Sequence, residues 1–469
     1  MTDWPISFGM SDTNPSSARP PEAAPGPDGL PFLGSYLENR RDFFAFRDRV
    51  AAEHGGVARY EILGQEVFLL TDPDAIRRVL VTENERYVKG ELFQQQLRPV
   101  LGNGLLNSEG DFWRRQRHLI QPAFTPDRIA GYADMMVDVT ERTSGRWDDG
   151  EIRDVHRDMM GLTLDVVARA LMGVDIRDRT PAIGGALDTV MEQSTGGSLL
   201  DLLPPSVPTP GREKLREAVA SLDRIVDELV DEKRRALRDG EIEPDADVVS
   251  ALLTAEDDDG ERMAAEQVRD EVKTLLLAGH ETTALSLTFT LHLLARHPEI
   301  EQRLLDELAA ELGDDPAGFD TVRDLEYLDK VVTESMRLFP PVHGILREPT
   351  EDVELGGYRV PEGTPLAISQ WIVHRDSAHY DDPLAFRPER WTDEMERELH
   401  PLAYFPFSSG PRRCVGDRFA LLEAKLILAT LLRRFAFEVV DPVDLDANLE
   451  ASITTRPTQP VRMRLHERD

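Results

Sequence analysis

Cys414 is the single cysteine of a 469-residue chain, so it can neither close an intrachain disulfide nor complete a cysteine-only zinc site. It sits in FSSGPRRCVG, Phe407 to Gly416, just ahead of a strongly helical run. A thiolate is favoured at such a place, because unpaired backbone N–H groups and the helix dipole stabilise negative charge. Gly410 and Gly416 let the backbone fold tightly and let a flat, bulky partner come close. Arg412 and Arg413 offer positive charge to acidic groups on that partner. A group that takes one soft anionic ligand, a close backbone and carboxylate clamps is haem.

Three further constellations could do chemistry. AGHETT, Ala278 to Thr283, places the acid Glu281 and the alcohol Thr282 inside a long apolar stretch, where such groups are costly unless hydrogen-bonded. Gly279 removes a side chain in mid-helix and lets a ligand approach the backbone, and a threonine hydroxyl there competes for helix hydrogen bonds. ESMR puts Glu334 and Arg337 three apart on one helical face, and Arg390 of FRPERW can join them in a buried ion-paired network. WRRQR opens an amphipathic helix with Trp113 and Arg117 on one face, an indole N–H and a guanidinium able to clamp carboxylates.

The loop pattern F-x-x-G-x-R-x-C-x-G, made by Phe407, Gly410, Arg412, Cys414 and Gly416, resembles the haem-binding loop of the cytochrome P-450 family. The other three motifs occur in the family's order, and the resemblance runs from about Pro25 to the end. It implies haem b with Cys414 as axial iron ligand and Phe407 beside the sulfur. Trp113, Arg117, Arg347 and Arg412, with Lys89 as a further candidate, would reach the propionates. Glu281 and Thr282 would serve oxygen activation, and Glu334, Arg337 and Arg390 would form the structural triad. A pocket for an apolar substrate would draw on Leu275, Ala278, Val342, Ile345, Ile453 and Thr454.

The implied activity is insertion of one oxygen atom of O2 into an apolar substrate, with electrons from NAD(P)H through a separate ferredoxin or flavoprotein. No flavin- or nicotinamide-binding segment is visible in the chain. A peroxide-driven or rearranging haem-thiolate enzyme and a haem-based sensor or carrier are the competing readings. Retention of both Glu281 and Thr282 argues against them.

These residues need elements to hold them. The implied fold is mainly α with a smaller β-rich portion, a triangular prism with haem between the helix carrying AGHETT and the helix after the cysteine. VARYEILGQEVFLL reads as a hairpin turning at Gly64 and Gln65, and DVELGGYRV as another with a Gly-Gly turn. The β-rich portion is expected from about 55–71 and 345–375, within one domain over 31–469. Residues 1–30, rich in Pro and Gly, read as a flexible leader. Four prolines in LLPPSVPTPG, Leu202 to Gly211, forbid a continuous helix there.

Composition excludes some partners. With 87 Asp plus Glu against 54 Lys plus Arg, the formal net charge is −33, which disfavours nucleic acid and anionic membrane. Basic positions are overwhelmingly arginine, a composition resembling halophilic proteins, whose self-repulsion is screened in concentrated salt. The stretch from Thr274 to Ala295 is long enough to span a bilayer, but Glu281 and two histidines interrupt it, so it reads as a buried helix. No signal peptide or anchor is visible, and a single cysteine suits a reducing, cytoplasmic compartment.

Overall fold

The computed structural model describes residues 23–173, 179–194, 207, 209–440, 445 and 447–468. Its principal helices are α1 (Phe43–His54), α2 (Glu91–Leu101), α3 (Gly110–Ile120), α4 (Ala133–Ser144), α5 (Val155–Met172), α6 (Thr180–Ser194), α7 (Pro210–Arg238), α8 (Ala265–Arg296), α9 (Glu326–Leu338) and α10 (Asp417–Arg434). Most of the leader and of the Leu202–Gly211 run lies outside the described residues.

Helix α8 is the axis of the molecule. It starts where the Gln267 side chain accepts the Ala264 N–H, runs 32 residues (about 48 Å) without proline, and stops before Pro298. Its middle is buried on most sides because α2, α5, α7, α9 and α10 pack around it. Its buried threonines do not break it, since Thr274, Thr283, Thr288 and Thr290 each donate to the carbonyl four residues back. One apolar core surrounds this helix, and a smaller one lies under the main sheet.

That sheet has the order β1-β2-β8-β5-β3, from Val57–Ile62 (β1), Gln65–Leu70 (β2), Tyr87–Val88 (β3), Gly344–Pro349 (β5) and Leu366–Ser369 (β8). All its pairs are antiparallel except β2 with β8. The first hairpin turns at Leu63 and Gly64, both at positive φ, one residue earlier than the Gly64–Gln65 expectation. A two-residue turn that matches the strand twist needs positive φ at both centres, and Leu63 accepts it although Gln65 would give the more familiar reading. The second hairpin, β6 (Val353–Leu355) to β7 (Tyr358–Val360), turns at Gly356 and Gly357 as expected.

The remaining strands are β4 (Ile152–Asp154), β9 (Phe435–Val439) and β12 (Arg462–Glu467), paired in the order β4-β12-β9, and the hairpin β10 (Leu449–Ala451) with β11 (Thr455–Pro457). The expected leader is fastened earlier than residue 30. Ala24 is buried and its carbonyl accepts from Arg59 Nε, while the Arg59 N–H donates to Pro25 O.

Candidate active site

The cysteine loop is built on tight backbone geometry. Ser408 and Gly410 both have positive φ, and a Cβ at Gly410 would sit 2.0 Å from the Leu80 carbonyl oxygen, so only glycine fits. The Cys414 N–H donates to Phe407 O at 3.0 Å, and α10 begins three residues on at Asp417. Phe407 and Val415 pack against the main core. Gly416 has an ordinary φ and nothing closer to its Cβ position than Phe124 at 3.8 Å. No protein neighbour therefore demands glycine there.

Cys414 lies deep in the protein, yet its side chain is accessible, so the thiol borders an internal hollow. Helix α8 presents the matching surface. Leu275, Ala278, Gly279 and Thr282 are exposed or half-buried, in a stripe at helical spacing, while nearly all their neighbours on the helix are buried. Burial raises the free thiol above its usual range, opposed by the Gly416 N–H and by Arg117 and Arg413. A metal ion would displace that proton outright.

Cations gather beside the hollow. Arg347 is buried on β5 and, among the described residues, pairs with no carboxylate; its Nη1 donates only to Leu346 O. Burial, then the charge of Arg412, lowers it to about 10, against the pull of Glu109. Arg412 pairs with Glu109, donates to Tyr87 O and lies 5.4 Å over the Trp113 ring. Lys89 is lowered to about 7, chiefly by burial, and its ammonium donates to the Leu105 and Ser108 carbonyls. Those two bonds hold Lys89 to the loop before α3 and leave it one donor. Arg117 donates to Arg413 O at 2.8 Å. Lys89, Arg347 and Arg412 thus perturb one another with Glu109 as their shared carboxylate, in a protein of net charge −33. Such a cluster fits a dianionic group, and with the accessible cysteine it fits haem and its propionates.

The structure separates Glu281 from Thr282. Thr282 keeps accessible surface on the α8 stripe, and its hydroxyl donates to Ala278 O at 2.8 Å. Glu281 is buried and turns to the β10–β11 hairpin, accepting from Thr454 Oγ1 at 2.6 Å and Arg456 Nε at 2.5 Å. Adjacent helical residues point about 100° apart, which accounts for the divergence. Thr454, expected in the pocket, is buried on Glu281, whereas Leu275, Ala278, Val342, Ile345 and Ile453 keep accessible surface. Thr455 N and Oγ1 bond to the Pro341 and Pro340 carbonyls, which brings Ile453 beside the Val342–Ile345 segment.

On α9, Glu334 takes two hydrogen bonds from Arg337 at 2.8 and 2.9 Å and one from Arg390 at 2.8 Å, all fully or nearly buried. Trp391 Nε1 also donates to Glu334, at 3.0 Å. The two guanidiniums reach the carbonyls of His374, Asp381, Asp382, Pro383 and Ala385, fixing the approach to the cysteine loop. Sequence reasoning missed the role of Trp391, although it ends the FRPERW motif, and missed Glu109 and Arg456, which belong to no spaced motif.

Among the described residues no helix is long and apolar enough to cross a membrane. Residues 24–464 match the family model described as Cytochrome P-450. The chain is 35% identical to cyclooctatin synthase of Streptomyces melanosporofaciens over 92% of this chain and 93% of that one. It is 33% identical to pentalenene oxygenase of Streptomyces avermitilis, over 95% and 98%. The solved structure of retinoic acid bound cyanobacterial CYP120A1 superposes with a TM-score of 0.83 at 27% identity, covering 95% of this chain and 99% of that one.

Proposed function

Because the chain belongs to the cytochrome P-450 family and is a haem-thiolate monooxygenase, we propose that it hydroxylates or epoxidises an apolar substrate of terpenoid class, using a separate electron donor. The observation that carries the reading is the accessible Cys414 thiol inside the core, beside a cation cluster that lacks matching carboxylates. The relative named pentalenene oxygenase and the apolar lining of Leu275, Ala278, Val342, Ile345 and Ile453 support the substrate class.

Haem, when bound, supplies the iron on which O2 is activated, with a thiolate ligand that favours O–O cleavage. Cys414 would hold it from the N-terminus of α10, and Trp113, Arg117, Arg347 and Arg412 would hold its propionates. Lys89 supports that cluster through the loop it ties down. The Phe407 carbonyl, accepting the Cys414 N–H, fixes the direction of the thiolate. Thr282, in reach of the hollow, positions a proton donor there. Glu281, held by Arg456, keeps a carboxylate one residue behind Thr282. The accessible side chains of Leu275, Ala278 and Thr282 on α8 leave room for substrate, whereas the Cβ position of Gly279 lies 3.1 Å from Val167, so that glycine serves close packing against α5 and not the approach of a ligand.

Electrons would come from NAD(P)H through a ferredoxin or flavoprotein, docking near Arg413, whose guanidinium is more than half exposed and pairs with Asp417. The acidic composition suits a cytoplasm rich in salt. Incubation of the reconstituted enzyme with terpenoid hydrocarbons under isotopically labelled O2 tests the function. One labelled oxygen atom in the product is expected, and label absent from product but supplied by added peroxide would favour the peroxide-driven reading.

A further inference from the structure

Glu423 lies on α10, nine residues after Cys414, with no exposed surface and no hydrogen-bond donor for either carboxyl oxygen among the described residues. Its one polar neighbour is the Thr283 hydroxyl on α8, within hydrogen-bonding reach. That hydroxyl has a single proton, and the geometry assigns it elsewhere: Thr283 Oγ1 donates to the Gly279 carbonyl at 3.1 Å. An ionised Glu423 would therefore be a carboxylate in a dry core with no donor, an arrangement strongly disfavoured against the neutral acid. Protonated, the same group becomes the donor and Thr283 Oγ1 offers a free lone pair, so the contact is satisfied and what stays without a partner is a neutral carbonyl oxygen instead of a charge. Burial raises the carboxyl well above the usual range, and no charged neighbour opposes it.

The chain of bonds ends at a particular place. Gly279 and Ala278 supply consecutive carbonyls, one taken by Thr283 and the other by Thr282, so the turn facing the hollow is shaped by two back-bonded threonines. Thr282 lies on the accessible stripe of α8, and Thr283 faces α10, the helix that starts three residues after Cys414. We propose that Glu423 is a neutral carboxylic acid that acts as a positioning residue, donating to Thr283 and thereby locking the Ala278–Thr283 turn from the side of α10. It ties the helix that follows the cysteine loop to the helix that carries Thr282. It works through Thr283 rather than by touching substrate. The inference rests on the haem-thiolate reading of the site.

The test uses the haem-loaded enzyme. Its infrared spectrum should contain a protonated-carboxyl C=O band that shifts in D2O and is absent from Glu423→Gln. Glutamine, whose amide N–H can also donate to Thr283, should keep the C–O stretch of the ferrous carbon-monoxide complex and the peroxide released per reductant consumed. Glu423→Met, which has no donor, should broaden or split that C–O stretch and raise peroxide release several-fold. Thr283→Val removes the same bond from the other side and should do likewise, so it replaces Glu423→Met if that variant does not fold. Loss of no carboxyl band in Glu423→Gln would overturn the neutral acid. A C–O stretch and peroxide release unchanged in Glu423→Met or Thr283→Val would overturn the positioning role. A wild-type carbon-monoxide spectrum lacking thiolate ligation would instead fail the underlying haem reading.

Discussion

Arg456 Nε lies 2.5 Å from Glu281 Oε1, joining the acid of the AGHETT segment to a strand 175 residues further along the chain. The pair is nearly dry: Glu281 is 1% exposed and the Arg456 side chain 11%. Arg456 continues outward to Asp188 on α6, with Nη2 4.0 Å from a carboxylate that is mostly in water. The same hairpin thus holds the acid, carries Ile453 beside the Val342–Ile345 segment and touches the helix that precedes the Leu202–Gly211 run.

Removing one member of a buried pair leaves the other uncompensated. Arg456→Met should lower stability by about 3–5 kcal/mol, and adding Glu281→Gln should restore most of it, because a neutral amide still accepts from Thr454. Thermal unfolding of the two single variants and the double variant measures this. A cost under about 1 kcal/mol for Arg456→Met would show that the pair is open to water.

Arg347 gives a prediction of opposite sign for two states of the protein. It is buried beside Arg412 and Lys89 with no carboxylate of its own among the described residues. Arg347→Met should leave the haem-free protein as stable or more so, since it removes like-charge repulsion. The loaded protein should retain haem roughly 10- to 100-fold less tightly, the worth of one charge-assisted hydrogen-bonded contact of about 1.5–3 kcal/mol. Haem transfer to an acceptor protein, followed in time, reads the second effect. Equal destabilisation of both forms would contradict the assignment.

Glu271, buried on α8, accepts the Leu105 N–H and is raised to about 8 by burial. Its folded form keeps a proton that the unfolded chain releases near pH 4.5, so the stability it contributes is present at low pH and is lost as pH rises through about 8. Glu271→Gln keeps the acceptor and removes the titration. Its unfolding free energy relative to wild type, read from thermal unfolding, should therefore climb between pH 5 and 7 by an amount on the order of 2 kcal/mol. Above pH 7 Lys89, lowered to about 7, acts in the opposite direction, so the lower window is the clean one. A pH-independent difference would show that Glu271 is ionised in the fold.

The features legible in the sequence were those with short, fixed spacing. Glu334 and Arg337 are three apart on a helix, the cysteine loop fits in ten residues, and the Gly-Gly hairpin turns where two glycines permit it. Gly410 was legible as a glycine, although its reason, the Leu80 carbonyl, comes from a helix far away in sequence. Partners such as Arg456 and Glu109 were not, because hydrogen-bond geometry across the fold chose them and no local pattern marks them. The divergence of Glu281 from Thr282 follows from helical rotation, which the sequence contains but which the motif reading of an acid–alcohol pair overlooked. The turn at Leu63 was misplaced by one residue because positive φ in leucine leaves no compositional trace.

The central claim is that Cys414 is the axial ligand of a haem. The direct measurement is the reduced, carbon-monoxide-bound absorption spectrum of the wild type and of Cys414→Ser. The wild type should show the strongly red-shifted Soret band of thiolate ligation, and the serine variant should lose it while haem remains bound through the arginine cluster. A wild-type band at the position of a histidine-ligated haem, or a red-shifted band that persists in Cys414→Ser, would contradict the assignment.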